Sequence, residues 1–137
     1  MNGDLYDRYV TDLKLKGYAK RSRQSYRRSL RQFQNFANKA LEDVTEEDLR
    51  EYWLCCKEEL GWSNATLRIS YSAIKHFFEH IVKRDWEVLR TVKFERQQTL
   101  PVVLNIDEVR AIISAMAYMP QNHAYFSLVY SCGLRLS

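Results

Sequence analysis

Apolar side chains recur along most of this chain at intervals of three and four residues, the spacing that lines one face of an α-helix. Leu5, Tyr9 and Leu13 fall at i, i+4 and i+8, so Asp4 to Lys16 predicts a first helix, stopped by Gly17. A second helix is expected from Lys20 to Lys39, with Tyr26, Leu30, Phe33, Phe36 and Ala37 on one face. Turning about 100° per residue sets Lys20, Arg27 and Arg31 on the opposite face, flanked by Arg21, Arg23 and Arg28.

Thr45 ahead of Glu46, Glu47 and Asp48 offers a capping hydroxyl and three carboxylates to the positive end of a helix dipole. It opens a third helix that runs through Leu49, Tyr52, Trp53 and Cys56 to about Leu60 and ends at Gly61. Ser63 opens a fourth in the same way, with Leu67, Tyr71, Ile74, Phe78 and Ile81 as its stripe and Arg68 and Lys75 together beside it. From Lys83 to Thr99 the period fails and charge alternates with single apolar residues, which predicts a connecting segment. Leu100-Pro-Val-Val-Leu reads as extended. Asn105, with Glu108 three residues on, caps a fifth helix carrying Val109, Ile112, Ile113 and Met116. Pro120 breaks that helix, and Ala124 to Cys132 forms a sixth, apolar nearly all round and closed by Gly133.

The expected fold is therefore all-α: a four-helix bundle over residues 1–83, a linker over 84–99, and a second unit over 100–137. A helix apolar all round is normally buried in a larger domain, and two helices are too few to bury it, so the second unit is expected to be incomplete.

Composition narrows the function. A chain of 137 residues with 46% apolar content can hold one core or a little more, which excludes a large multidomain enzyme. The N-terminus lacks a basic opening and an apolar run, and the longest apolar stretch, Ala111 to Met119, is too short to span a bilayer; a cytoplasmic location and no membrane partner are expected. Cys55, Cys56 and Cys132 fit neither a disulfide framework nor a zinc site and read as reduced, packed thiols. His76 and His80 stand four apart but, with His123, find no third ligand at a persuasive spacing, so structural or surface roles are expected and no metal. No glycine or serine pattern matches a phosphate loop, a dinucleotide fingerprint or a nucleophile elbow, and neither a cofactor nor a small-molecule substrate is expected.

Charge adds the functional direction. A net charge of +4 conceals a strong asymmetry: residues 1–39 carry ten Lys or Arg against three acids, residues 40–62 two against eight, residues 63–99 seven against four, and residues 100–137 two against two. Basic segments separated by an acidic one suit a face that meets a polyanion. On the second helix the candidates for DNA contact are Lys20, Arg21, Ser22, Arg23, Arg27, Arg28 and Arg31, with Gln24 and Asn35 interleaved as hydrogen-bonding groups. On the fourth they are Asn64, Thr66, Arg68 and Lys75, beside Ser63 and Ser72, at a helix start whose free N–H groups suit a phosphate. The competing readings are a solvated helix charged for solubility and, for the fourth helix, plain capping and surface.

Leu100-Pro-Val-Val-Leu-Asn-Ile-Asp-Glu-Val, followed about thirty residues later by Tyr130-Ser-Cys-Gly-Leu-Arg-Leu-Ser, resembles the opening of the catalytic domain of tyrosine recombinases, the phage-integrase family. The four-helix part resembles that family's N-terminal core-binding, SAM-like domain. Gly17-Tyr-Ala-Lys-Arg-Ser-Arg-Gln-Ser-Tyr echoes the start of its second helix; Ser63-Asn-Ala-Thr-Leu through Ala73-Ile-Lys-His-Phe-Phe echoes its fourth. With Arg84-Asp-Trp-Glu-Val before the linker, the likeness is closest to integron and plasmid integrases. One departure is Ala19, which stands where a capping hydroxyl is common, so a ragged start to the second helix is expected.

The resemblance implies that Arg135 is the first catalytic arginine, whose guanidinium would stabilise charge on the scissile phosphate without a metal. It implies a double-stranded DNA recombination site as partner, a C-shaped clamp with the second and fourth helices toward the major groove, and a tetramer across two sites for a complete protein. Strand exchange would pass through a 3′-phosphotyrosyl link. The family's catalytic Lys, its later His and Arg, and its tyrosine nucleophile would follow Arg135, so the chain is expected to bind DNA without cutting it. A rival reading is a non-catalytic interaction module that self-associates through the apolar sixth helix.

Overall fold

The structure, a computed structural model, describes residues 2–135; every regular element among them is helical. The elements are α1 (Asn2–Leu15), α2 (Lys20–Ala37), α3 (Glu46–Glu58), α4 (Asn64–His76), a π-helical segment (Phe77–Val82), α5 (Val88–Thr91), α6 (Ile106–Ala115) and α7 (Pro120–Cys132). They form two compact units, residues 1–98 and 99–137. Among the described residues no helix is long and apolar enough to cross a membrane.

In the first unit the apolar stripe of α1 is buried as its spacing requires, with Tyr9 fully enclosed, its ring edge-on to Phe77 at 5.4 Å and its hydroxyl donating to the Ala73 carbonyl at 2.9 Å. Gly17, at φ +75°, turns the chain so that the N–H groups of Tyr18 and Gly17 reach back to the carbonyls of Leu13 and Lys14, both at 3.0 Å, satisfying the helix end. α2 packs chiefly on α4 and sends Leu30 and Phe33 into the core. Ser29 takes an inner place beside them, whereas Phe36, expected inside, is 42% exposed and lies on the rim with its ring 5.2 Å from Tyr52. α2 starts at Ala19 with no side-chain cap.

α3 opens on the capping box its sequence announces: the Thr45 N–H donates to Asp48 Oδ2 at 2.8 Å and the Asp48 N–H to Thr45 Oγ1 at 3.4 Å. The hydrogen bond from Lys39 Nζ, at 2.7 Å, is the main cause that holds the Asp48 carboxyl below its usual range. Leu49, Tyr52, Trp53 and Cys56 are buried, and Tyr52 meets Phe33 edge-on at 5.1 Å.

The fourth helix does not run unbroken to Ile81. After His76 it widens into the π-helical segment, where Phe77 and Phe78, adjacent in sequence, are both fully buried. Lys83, at φ +61°, ends the segment, and the Arg84 N–H closes it on the Phe78 carbonyl at 2.8 Å.

The first part of the expected linker, residues 84–94, packs on the bundle, whereas residues 95–99 are exposed and without regular structure. Trp86 lies on Phe78 at 4.8 Å between centroids, Val88 and Leu89 of α5 are buried, and Phe94 stands 6.0 Å from Tyr71 and 6.2 Å from Trp53. The Tyr71 hydroxyl donates to the Leu89 carbonyl at 2.5 Å. Arg84 lies over the Trp86 ring at 5.1 Å and donates to the carbonyls of Glu42 and Val44, the latter at 2.6 Å, tying this segment to the loop before α3. Apolar residues too widely spaced for an amphipathic helix still reach the bundle one by one, which the periodicity does not register.

In the second unit the capping box of α6 is formed by Asn105 and Glu108, each backbone N–H meeting the other's side chain at 2.8 Å. Pro120 begins α7 instead of merely ending α6: at the first helical position its missing N–H has no intrahelical partner to lose. The Gly133 turn (φ +62°) brings the Leu134 N–H to the Val129 carbonyl at 3.0 Å. No described residue of this unit is fully buried; Tyr125, Leu128 and Tyr130 of α7 are all more than half exposed. The thiols differ likewise: Cys56 is buried, Cys55 half-buried and Cys132 exposed rather than packed.

His76 is the buried histidine of the first unit. Its Nε2 lies 3.2 Å from Asp12 Oδ2 and 3.2 Å from Lys16 Nζ, between the rings of Tyr9 and Tyr18 and 4.7 Å from His80. Burial, then the charges of Lys16 and His80, push its pKa down to about 4, with Asp12 opposing. The ring is thus neutral and structural.

Two expectations follow. Replacing Phe33 by Ala should cost about 3–5 kcal/mol in urea unfolding, and a loss under about 1 kcal/mol would contradict the core described. For His76, the unfolded chain binds a proton near pH 6.5 that the folded chain refuses until about pH 4, so stability rises with pH across that window and is lost on acidification. The unaltered chain should lose up to about 3 kcal/mol more than His76→Gln between pH 7 and pH 4.5. Equal losses would place the histidine in solvent.

Candidate nucleic-acid interface

Anchored by Leu30 and Phe33, with Ser29, Tyr26 and Ala37 against the core, α2 turns its basic edge outward. Lys20, Arg21, Ser22, Arg27, Arg28 and Arg31 are exposed and Arg23 is half-buried. Among the described residues none of these six cations is within ion-pair distance of a carboxylate, whereas Lys16, Lys39, Arg50, Lys75, Arg90 and Arg110 each face one. Arg23, Arg27 and Arg31 succeed one another at i, i+4 and i+8, a spacing at which like charges repel by about 0.2–0.5 kcal/mol per neighbouring pair. The first turn of α2 carries Lys20, Arg21 and Arg23 and no acid, against the direction the helix dipole favours. With no ion pair among the described residues, this positive charge is open to an external anion.

Its position differs from the expected one in a detail. Arg27 and Arg31 do not stand diametrically opposite the core; they border a groove between α2 and α1, shared with Tyr6, Asp7, Gln34 and Asn35. The Tyr6 hydroxyl donates to Gln34 Oε1 at 2.7 Å, and burial pushes the Tyr6 phenol up while the nearby charges of Arg31 and Arg27 pull it the other way. α1 packs along this flank, so cations one step off the core face lie beside it. The sequence reading assigned no residue of α1 to the site; the available signal was Tyr6, an amphipathic side chain one residue off the Leu5–Tyr9–Leu13 stripe.

The α4 residues are a looser set. Ser63 Oγ accepts the Thr66 N–H at 3.3 Å and lies 3.1 Å from Thr66 Oγ1, so both hydroxyls are engaged in the cap. Asn64 is half-buried. Lys75 pairs with Glu79 at 3.7 Å and sits 5.8 Å above the Tyr71 ring, which leaves Arg68 as the exposed cation of the group without an ion pair among the described residues. No hydrogen bond or ion pair joins this set to the cations of α2 among those residues. Arg135 stands exposed two residues beyond Gly133, in the second unit, with no hydrogen-bond or ion-pair partner among the described residues.

A sequence profile of the phage integrase N-terminal SAM-like domain matches residues 5–88. "Putative integrase/recombinase y4qK" of Sinorhizobium fredii (strain NBRC 101917 / NGR234) is 29% identical over 136 residues, covering 97% of this chain and 43% of that protein. "Putative integrase/recombinase y4eF" of the same strain is 34% identical over 94 residues, 66% of this chain and 36% of that one. The chain thus spans less than half the length of these relatives. In fold it is similar to the crystal structure of XerA recombinase, with a TM-score of 0.61 and 22% identity over 94% of this chain and 45% of that one. A helical bundle with this outward-facing basic helix, matched over residues 5–88 by the integrase profile, belongs to the tyrosine recombinase (phage integrase) family, whose N-terminal SAM-like domain it carries.

Proposed function

We propose that this chain binds double-stranded DNA through its first unit, as the N-terminal portion of a site-specific integrase. The observation that carries the reading is the row of six uncompensated cations on α2, in a chain whose family acts on DNA. Contacts to the phosphate backbone would supply most of the affinity, with Gln24, Asn35 and Arg68 in positions to add hydrogen bonds. In a complete protein, working in the cytoplasm as a tetramer across two sites, the family chemistry would cut and rejoin strands through a 3′-phosphotyrosyl link. There Arg135 would hold the scissile phosphate, its two parallel donors stabilising charge in the pentacoordinate transition state without a metal. Residues 1–137 offer that one group of the catalytic set and should bind without cleaving.

A labelled duplex titrated at several salt concentrations tests this. Neutralising three to five phosphates predicts a fall of log K with log salt of slope about −3 to −5. No binding at low salt, combined with self-association in sedimentation, would favour the interaction module instead. The double variant Arg27→Glu, Arg31→Glu should weaken binding at least tenfold with its helical circular dichroism unchanged, because neither side chain reaches the core. Undiminished affinity would remove α2 from the interface.

A further inference from the structure

The ends of α2 and α3 form a groove lined by Phe36, Glu51, Leu54, Cys55, Glu58 and Glu59. Phe36 and Leu54 are 42% and 56% exposed, large apolar side chains left in contact with water. Three carboxylates accompany them, no cation lines the groove, and none of the three has an ion pair among the described residues. Glu58 and Glu59 also close α3 at the negative end of its dipole, where a cation is favoured and an acid is not. The reverse combination stands at the turn from α1 to α2. Leu15, on the last turn of α1, is 83% exposed, the most exposed large apolar side chain among the described residues of the first unit. Lys14 precedes it, and Lys20 and Arg21 open α2 at the positive end of its dipole, again with the unfavourable sign. Lys14 and Lys20 border one common groove, and none of these three exposed cations has an ion pair among the described residues.

One chain thus carries an apolar tip beside cations and an apolar groove beside carboxylates. Lys20 and Phe36 stand near opposite ends of α2, about 24 Å apart along its axis, so a single copy cannot bring the two together. A second copy can. We propose that Leu15 of one copy, with Lys14, Lys20 and Arg21, docks into the groove of Phe36 and Leu54 on another, so that free copies of this chain associate head to tail. The contact removes two exposed apolar surfaces from water and sets each unfavourable charge at a helix end against its opposite. It joins different surfaces of the two copies, so each keeps one free tip or groove and association continues into a ring or a filament. A leucine with a few exposed charge pairs makes a small interface, which is weak and sensitive to salt. The contact needs no DNA and stands apart from the DNA-binding reading.

Sedimentation velocity of the full chain, without DNA, tests this. In about 0.05 M salt the average mass should rise with protein concentration up to about 0.5 mM, and it should fall back in about 0.5 M salt. Leu15→Ser, which removes the apolar tip, and Leu54→Lys, which sets a cation against cations, should each lower the association constant roughly tenfold or more. Mixed in equal amounts, the two variants should complement each other. The first keeps its groove and the second its tip, so association returns but stops at a dimer. A chain that stays monomeric at every concentration would overturn the proposal. Variants that associate as the unaltered chain does would overturn it too, since the contact would then lie elsewhere, α7 included. So would a mixture that stays monomeric or grows past the dimer. Leu15 and Leu54 are exposed, so both variants should keep their helical circular dichroism; if that of Leu54→Lys is altered, Glu58→Lys replaces it with the same expectations.

Discussion

The structure depends on the clamping of one charged helix. Between Lys20 and Arg31 α2 carries six cations and no acid, has no side-chain cap at Ala19, and sets like charges one turn apart. Alone such a segment would fray, because each feature opposes helix formation. It is held by Leu30 and Phe33, fully buried against rings and aliphatic groups of neighbouring helices. Burying two such side chains contributes roughly 3–6 kcal/mol, more than the repulsion along the helix removes. Cohesion on the inner edge thus keeps an electrostatically unfavourable outer edge in place.

The rest of the first unit reinforces that arrangement. The π-helical segment supplies Phe78, 6.2 Å from Phe33, and Trp86 packs on Phe78 in turn. Arg84 is a cation of a different kind: its guanidinium is committed to the carbonyls before α3 and to the face of Trp86, which makes it part of the scaffold. His76, neutral in its pocket at the end of α4, engages Asp12 of α1 and Lys16 just beyond that helix. The acidic charge is gathered mainly on and around α3, where Glu46 and Glu47 pair with Arg50 and Asp48 serves the cap. The cations of α2 are thus left without the carboxylates that Arg50 finds on α3.

Much of this was legible in the amino-acid sequence because it rests on local rules. The stripe of α1, the capping boxes at Thr45 and Asn105, and the glycine stops at positions 17, 61 and 133 each need only neighbours within a few residues to declare themselves. What escaped depends on tertiary contact. The break at His76 is invisible to a 3.6-residue period, since Phe77 and Phe78 both have a place to go only once α1 and α2 are present. The packing of Trp86, Leu89 and Phe94 follows no period at all. At the candidate site the cations of α2 were legible as composition, but that Arg27 and Arg31 border a groove with Tyr6 came from how two helices lie side by side. Whether a given lysine is free or committed, as with Lys14 and Lys75, is likewise a property of its surroundings.

The central claim is that the outward edge of α2, with the adjoining flank of α1, is the surface that meets DNA. Amide chemical-shift mapping of the chain during titration with a short duplex tests it most directly. The account predicts perturbations concentrated at residues 20–31 and at the α1 residues beside them, with α3 quiet. Perturbations centred on α3, or scattered evenly over the first unit, would contradict it.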